Sequence, residues 1–89
     1  MPSNFERWEA EYKIKLAAAI KRKPDNYCVE MYRWTPEEYA ENVGGSMARK
    51  FRERPFSVIV SPAMRAAAKK CGAAGTSIKA IHKFITAEG

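Results

Sequence analysis

Residues 61–86, SPAMRAAAKKCGAAGTSIKAIHKFIT, decide the fold, because they spell two helices and the turn between them. Ser61 is a favoured N-cap, and Pro62 suits the first helical position, where the missing N–H has no partner to lose. An Ala-rich run then reaches Cys71, and Gly72 stands where a left-handed residue closes a helix. After Ala73, Ala74 and Gly75, either Thr76 or Ser77 can cap a last helix ending near Gly89. Its Ile78, Ile81, Phe84 and Ile85 recur at three and four residues and so share one face.

Working outward, Ser3 and Glu6 have capping-box spacing, and Phe5, Trp8, Tyr12, Leu16, Ala19 and Ile20 form one apolar stripe of a first helix. A Trp and a Tyr beside several lysines also suit base stacking, but on an apolar stripe core packing is the more economical reading. Lys21, Arg22 and Lys23 suit the negative end of the helix dipole, and Pro24 with Asp25 stops the helix. Thr35, Pro36 and Glu38 supply a cap, a first-turn proline and a first-turn acid, while Trp34 and Tyr39 hold the two positions of a hydrophobic staple. That helix runs through Val43, Met47 and Phe51 to about Glu53, unless Gly44 and Gly45 divide it.

Two stretches rich in β-formers, Tyr27–Trp34 and Phe56–Val60, read as short strands, the second following Pro55 and open to pairing with the first. The expected fold is mainly α with some β. Residues 1–89 make a single compact domain of about four helices and two short strands, closing on a helix-turn-helix-like hairpin. A chain of 89 residues buries about 60–65% of the surface it exposes unfolded, so the core is modest. With 46% hydrophobic and 29% charged residues it is too apolar for charge-driven disorder. Its uncharged apolar runs, such as Leu16–Ile20 and Phe56–Val60, fall well short of the roughly 20 residues of a membrane helix. No secretory signal is seen at the N-terminus, so a cytoplasmic protein without a membrane partner is expected. Cys28 and Cys71 lack metal-ligand spacing; two buried thiols in a reducing compartment are the first reading and a disulfide the second. No metal and no cofactor is expected.

The net charge is +6, and it is unevenly placed. Residues 1–48 carry seven Lys and Arg against eight Asp and Glu, a net −1, whereas residues 49–89 carry nine against two, a net +7. A one-sided excess of this kind suits a polyanion, whose phosphates release counterions to clustered cations, although it also serves solubility alone. Arg49, Lys50, Arg52 and Arg54 form one cluster and Arg65, Lys69 and Lys70 another, each suited to phosphates and each equally readable as a solvated helix face. If Ile78, Ile81 and Ile85 point inward, then Thr76, Ser77, Lys79, His82 and Lys83 point out, a hydrogen-bonding and cationic set suited to a groove.

Within residues 62–86, Ala68 as a small helix contact, Gly72 at the turn, and Ile78 and Ile81 after it have a spacing that resembles the phage repressor and Cro-type helix-turn-helix superfamily. The resemblance implies a DNA-binding regulator, associated with the nucleoid, whose last helix enters a groove. The chain departs from the family's pattern at Ala67, Cys71 and Ala73, where larger aliphatics are usual, and at Gly75, which loosens the turn. Catalysis finds no constellation: His82 is the sole histidine and no nucleophile or carboxylate is placed beside it by a motif. The expectation is thus a small basic binding protein, its partner a nucleic acid, DNA before RNA. The competing expectation, from a different class, is a small inhibitor or interaction protein, of phage or mobile-element type, docking its basic half on an acidic protein surface.

Overall fold

The structure is a computed structural model that describes residues 2–22 and 31–87. Its elements are α1 (Asn4–Lys21), α2 (Pro36–Tyr39), a π-helical turn (Ala40–Gly44), α3 (Gly45–Glu53), a 3-10 turn (Pro55–Ser57), α4 (Pro62–Lys70) and α5 (Ile78–Thr86). The protein is mainly helical, and no strand occurs among the described residues.

Each helix start is written in the local sequence. The hydroxyls of Ser3, Thr35, Ser61 and Ser77 accept the backbone N–H of Glu6, Glu38, Met64 and Ala80 at 3.1, 3.1, 3.3 and 3.1 Å. Each satisfies one of the orphan donors of a helix N-terminus. Trp34 and Tyr39 meet across the second of these starts, ring centroids 6.3 Å apart, as a staple requires. The expected alternatives at the last helix resolve to Ser77 as N-cap.

α1 is the spine. Its Phe5, Trp8 and Tyr12 are buried with Phe51 of α3, Met64 of α4, and Ile81 and Ile85 of α5. Trp8 stacks on Tyr12 at 5.5 Å and tilts against Phe51 at 5.7 Å. Its indole N–H donates to the carbonyl of Met64 at 3.1 Å, so the largest core side chain is also satisfied as a polar group. Asn4, buried at the start of α1, donates from Nδ2 to the Phe84 carbonyl and ties α5 to the same helix. The lower stripe of α1, at Leu16, Ala19 and Ile20, is only half-buried.

Gly44 and Gly45 neither end the helix nor cap it. The backbone passes through them at helical angles as the last residue of the π turn and the first of α3. A Cβ on Gly44 would lie 3.3 Å from Cγ of Lys13, so the glycine lets this helix approach α1 closely. Asn42 Nδ2 donates to the Glu38 carbonyl at 2.8 Å, taking up an acceptor of the turn before the widened one.

Both expected strands are corrected. Residues 27–30 of the first lie outside the described residues, but Met31 and Tyr32 are helical and Arg33 has φ 56°, a left-handed angle foreign to a strand. Phe56–Val60 begins inside a 3-10 turn, because Pro55 presets φ near the helical value and the Ser57 N–H closes back on the Arg54 carbonyl at 3.1 Å. Val58 is extended, yet no neighbouring strand pairs with it among the described residues. β-propensity describes a fit to a pleated surface, and that surface is missing here.

Candidate nucleic-acid interface

α4 is amphipathic at the scale of single methyl groups. Ala63, Met64, Ala67 and Ala68 are buried, and small side chains let the helix lie close along α1. The opposite face presents Arg65 and Lys69, four residues apart and exposed. Lys70 is turned elsewhere. Its Nζ lies 3.4 Å from Oε2 of Glu11, a buried oxygen that takes no hydrogen bond, so this cation neutralises a carboxylate of α1.

The helix ends as the glycine foretells. Gly72 has φ 96°, the Ala73 N–H bonds to the Ala68 carbonyl at 2.9 Å, and the Gly72 N–H bonds to the Lys69 carbonyl at 3.3 Å. That pair of bonds is the Schellman arrangement. Arg7 of α1 reaches the Cys71 carbonyl from Nη2 at 3.3 Å, filling a further acceptor of the helix end. Cys71 itself is a buried free thiol, its pKa pushed up by burial and eased down by nearby Arg7, and is therefore disfavoured as a thiolate nucleophile. Cys28 lies outside the described residues.

The connection from Cys71 to Ser77 is longer than the turn of about three to four residues that joins the helices of a helix-turn-helix. The helix that follows it, α5, packs on α1, α3 and the 3-10 turn as well as on α4. Ile81 and Ile85 are buried and Ile78 half-buried, while Lys79 and Lys83 stand exposed on the opposite face, again four residues apart. Thr76 and Ser77 are exposed at the N-terminal end of α5, with the Ser77 oxygen already accepting the Ala80 N–H.

Three of the expected contact residues are more engaged than their spacing suggested. His82 is half-buried, its ring set edge-on against Phe51 at a centroid distance of 6.3 Å, so it belongs partly to the core and is not fully displayed with Lys79 and Lys83. The guanidinium of Arg52 lies over the Phe5 ring at 4.7 Å, a cation–π contact that holds it to α1. Lys70, paired with Glu11, is the third. Arg49 faces a polar cleft of about 500 Å³ that also holds Glu9 and Glu41. Lys50 lines that cleft too, and with Arg54, just past the end of α3, it also borders a second groove between α3 and the 3-10 turn. The four cations from Arg49 to Arg54 therefore divide among different surroundings, with Lys50 common to the two clefts.

On α4 and α5, Arg65, Lys69, Lys79 and Lys83 are exposed and in no ion pair among the described residues, as are Arg49, Lys50 and Arg54 before them. From Pro55 to Ala87 there is no Asp or Glu, so no carboxylate of their own segment can pair with the cations of α4 and α5. Sequence reasoning missed Phe56 in the 3-10 turn and Ile59 just after it, which stand 73% and 87% exposed. The proline ahead of them was the available signal, since it favours a turn over a paired strand.

No helix among the described residues is long and apolar enough to cross a membrane. No protein-family model matches the chain, and neither the curated proteins nor the solved structures gave a match.

Proposed function

We propose that this protein is a small nucleic-acid-binding module, a regulator that takes phosphates on the outward faces of α4 and α5. The observation that carries this reading is the carboxylate-free stretch from Pro55 to Ala87. In it Arg65, Lys69, Lys79 and Lys83 are exposed at four-residue spacing on two successive helices and are in no ion pair among the described residues. Lysines and arginines left unpaired in this way are available to release counterions from a phosphate backbone. Thr76 and Ser77, exposed beside Lys79 at the start of α5, add hydroxyl donors of the kind that position a protein on a duplex. The resemblance of residues 62–86 to the Cro-type helix-turn-helix favours DNA over RNA, and the longer Cys71–Ser77 connection is the departure it has to accommodate.

The test is a titration with random-sequence duplex DNA at several salt concentrations. Binding is expected at low salt, with log affinity falling linearly against log salt. If Lys79 and Lys83 each meet one phosphate, the Lys79→Ala/Lys83→Ala protein has a slope smaller by about 2, with an unchanged denaturation midpoint. Absence of binding at low salt, or identical curves for the two proteins, overturns the proposal.

A further inference from the structure

Where α3 meets the 3-10 turn, the chain makes a groove of about 460 Å³ lined by Met47, Lys50, Glu53, Arg54, Val58 and Ile59, with Ser57. The turn beneath it is held from both ends. Pro55 and Val58 are buried, the Arg54 N–H bonds to the Lys50 carbonyl at 2.7 Å, and the Ser57 hydroxyl and N–H both reach the Arg54 carbonyl, at 2.9 and 3.1 Å. Between and beyond these anchors stand Phe56 and Ile59, 73% and 87% exposed. A single exposed aliphatic is ordinary on a protein surface. Two large exposed apolar side chains on one anchored connection, Ile59 in the wall of the groove with Met47 and Val58 and Phe56 three residues before it, are the pattern of a recognition surface.

The charge around the groove selects the occupant. Lys50 and Arg54 are exposed cations at its border against one carboxylate, Glu53. We infer that this groove docks a short acidic amphipathic segment of another protein, with apolar side chains seated on Met47, Val58 and Ile59 and reaching the neighbouring exposed Phe56, and its carboxylates facing Lys50 and Arg54. Polar recognition of a phosphate backbone leaves the apolar pair unused, which sets this surface apart from the outward faces of α4 and α5. The inference does not rest on nucleic-acid binding, because none of Arg65, Lys69, Lys79 and Lys83 lines the groove.

The experiment is selection from a displayed library of random twelve-residue peptides against the full chain, with the Phe56→Ser/Ile59→Ser protein as counter-target. Both proteins must show the same far-ultraviolet spectrum and denaturation midpoint, as replacement of exposed side chains predicts. The expected consensus has two or three aromatic or aliphatic positions and an excess of Asp and Glu. The enriched peptide should bind the parent in fluorescence anisotropy and lose at least about tenfold in affinity to the double serine variant, as for removal of an interface anchor. Lys50→Glu/Arg54→Glu should lose affinity by a similar factor and do so less at high salt. A basic consensus, or no enrichment over the counter-target, overturns the inference. So does duplex DNA affinity that falls with Phe56→Ser/Ile59→Ser, which would give the patch to nucleic acid. A concentration-dependent dimer abolished by the same variant would overturn it too, giving the patch to a second copy of the chain.

Discussion

Two connections flank α4, and they are built from opposite materials. The first, Arg54 to Ser61, contains Pro55, Phe56, Val58, Ile59 and Val60; the second, Cys71 to Ser77, is made almost wholly of Gly, Ala, Thr and Ser. Both end in a serine that caps the next helix. The second reverses the chain with a left-handed glycine and two backbone hydrogen bonds, which shows how little side chain a connection needs here. Set beside it, the first carries more apolar area than joining two helices requires. Pro55 and Val58 are consumed in anchoring it, and Phe56 and Ile59 are left over at the surface. The excess is what sets the first connection apart: its leftover side chains are large and apolar, whereas the exposed side chains of the second, Thr76 and Ser77, are small hydroxyls.

The largest effect should come from removing what holds α4 between the two connections. Trp8 is fully buried and its indole bonds to the Met64 carbonyl, so Trp8→Ala leaves a cavity and removes a buried hydrogen bond. A loss of about 3–5 kcal/mol is expected in urea denaturation. A domain whose total stability is of the usual size, about 5–15 kcal/mol, would be left marginal. A midpoint within error of the parent would show that α4 is held by the connections themselves and not by α1.

A smaller change sharpens the contrast within the second connection. Gly72→Ala should cost about 1–2 kcal/mol, because φ 96° is costly for a residue with a Cβ. No atom lies within 4 Å of the added carbon, so the cost is entirely in the backbone. Gly75→Ala brings a Cβ to 3.4 Å from that of Ala80, with no positive φ to oppose it, and should stay within about 0.5 kcal/mol of the parent. Equal midpoints for the two variants would mean that the turn does not depend on a left-handed residue.

Much of this architecture was legible in the sequence because it is locally encoded. Ser3, Thr35, Ser61 and Ser77 act on an N–H three residues ahead, and Gly72 acts on its own φ, so spacing was enough to read the first three caps and the glycine and to narrow the last cap to Thr76 or Ser77. Trp8, Tyr12 and Phe51 were readable as core because helical periodicity puts them on one side. What failed depends on distant partners. Phe56–Val60 has no neighbour among the described residues that would make its β-formers into a strand, and the glycines beside the π turn pack against Lys13, some thirty residues earlier. The position of each cation was legible but its engagement was not. Arg52 meets Phe5, Lys70 meets Glu11 and His82 meets Phe51 only because α1, α3, α4 and α5 are brought together.

The finest comparison is between the two capping serines. Ser61→Ala and Ser77→Ala should each cost about 1 kcal/mol as lost caps. Ser61, half-buried where Ser77 is exposed, also acts on the core, because its side chain hydrogen-bonds to Tyr12 and lowers a phenol pKa that burial pushes above 10.0. A folded-state value raised in this way contributes stability that is fully present below about pH 10.0 and is lost as pH rises through the folded value. Ser61→Ala removes the lowering influence, so Tyr12 should titrate at still higher pH and the alkaline loss should extend upward; Ser77→Ala should leave it alone. Tyrosinate absorbance followed against pH checks this, with the Tyr12→Phe protein subtracting the other three of the four tyrosines. Cys71, also raised by burial, contributes in the same direction from about pH 9.0 upward, and does so equally in both serine variants, so it cancels in the comparison. If Ser77→Ala moved the Tyr12 titration as far as Ser61→Ala, the difference between the caps would be lost and the first connection would have no private link to the core.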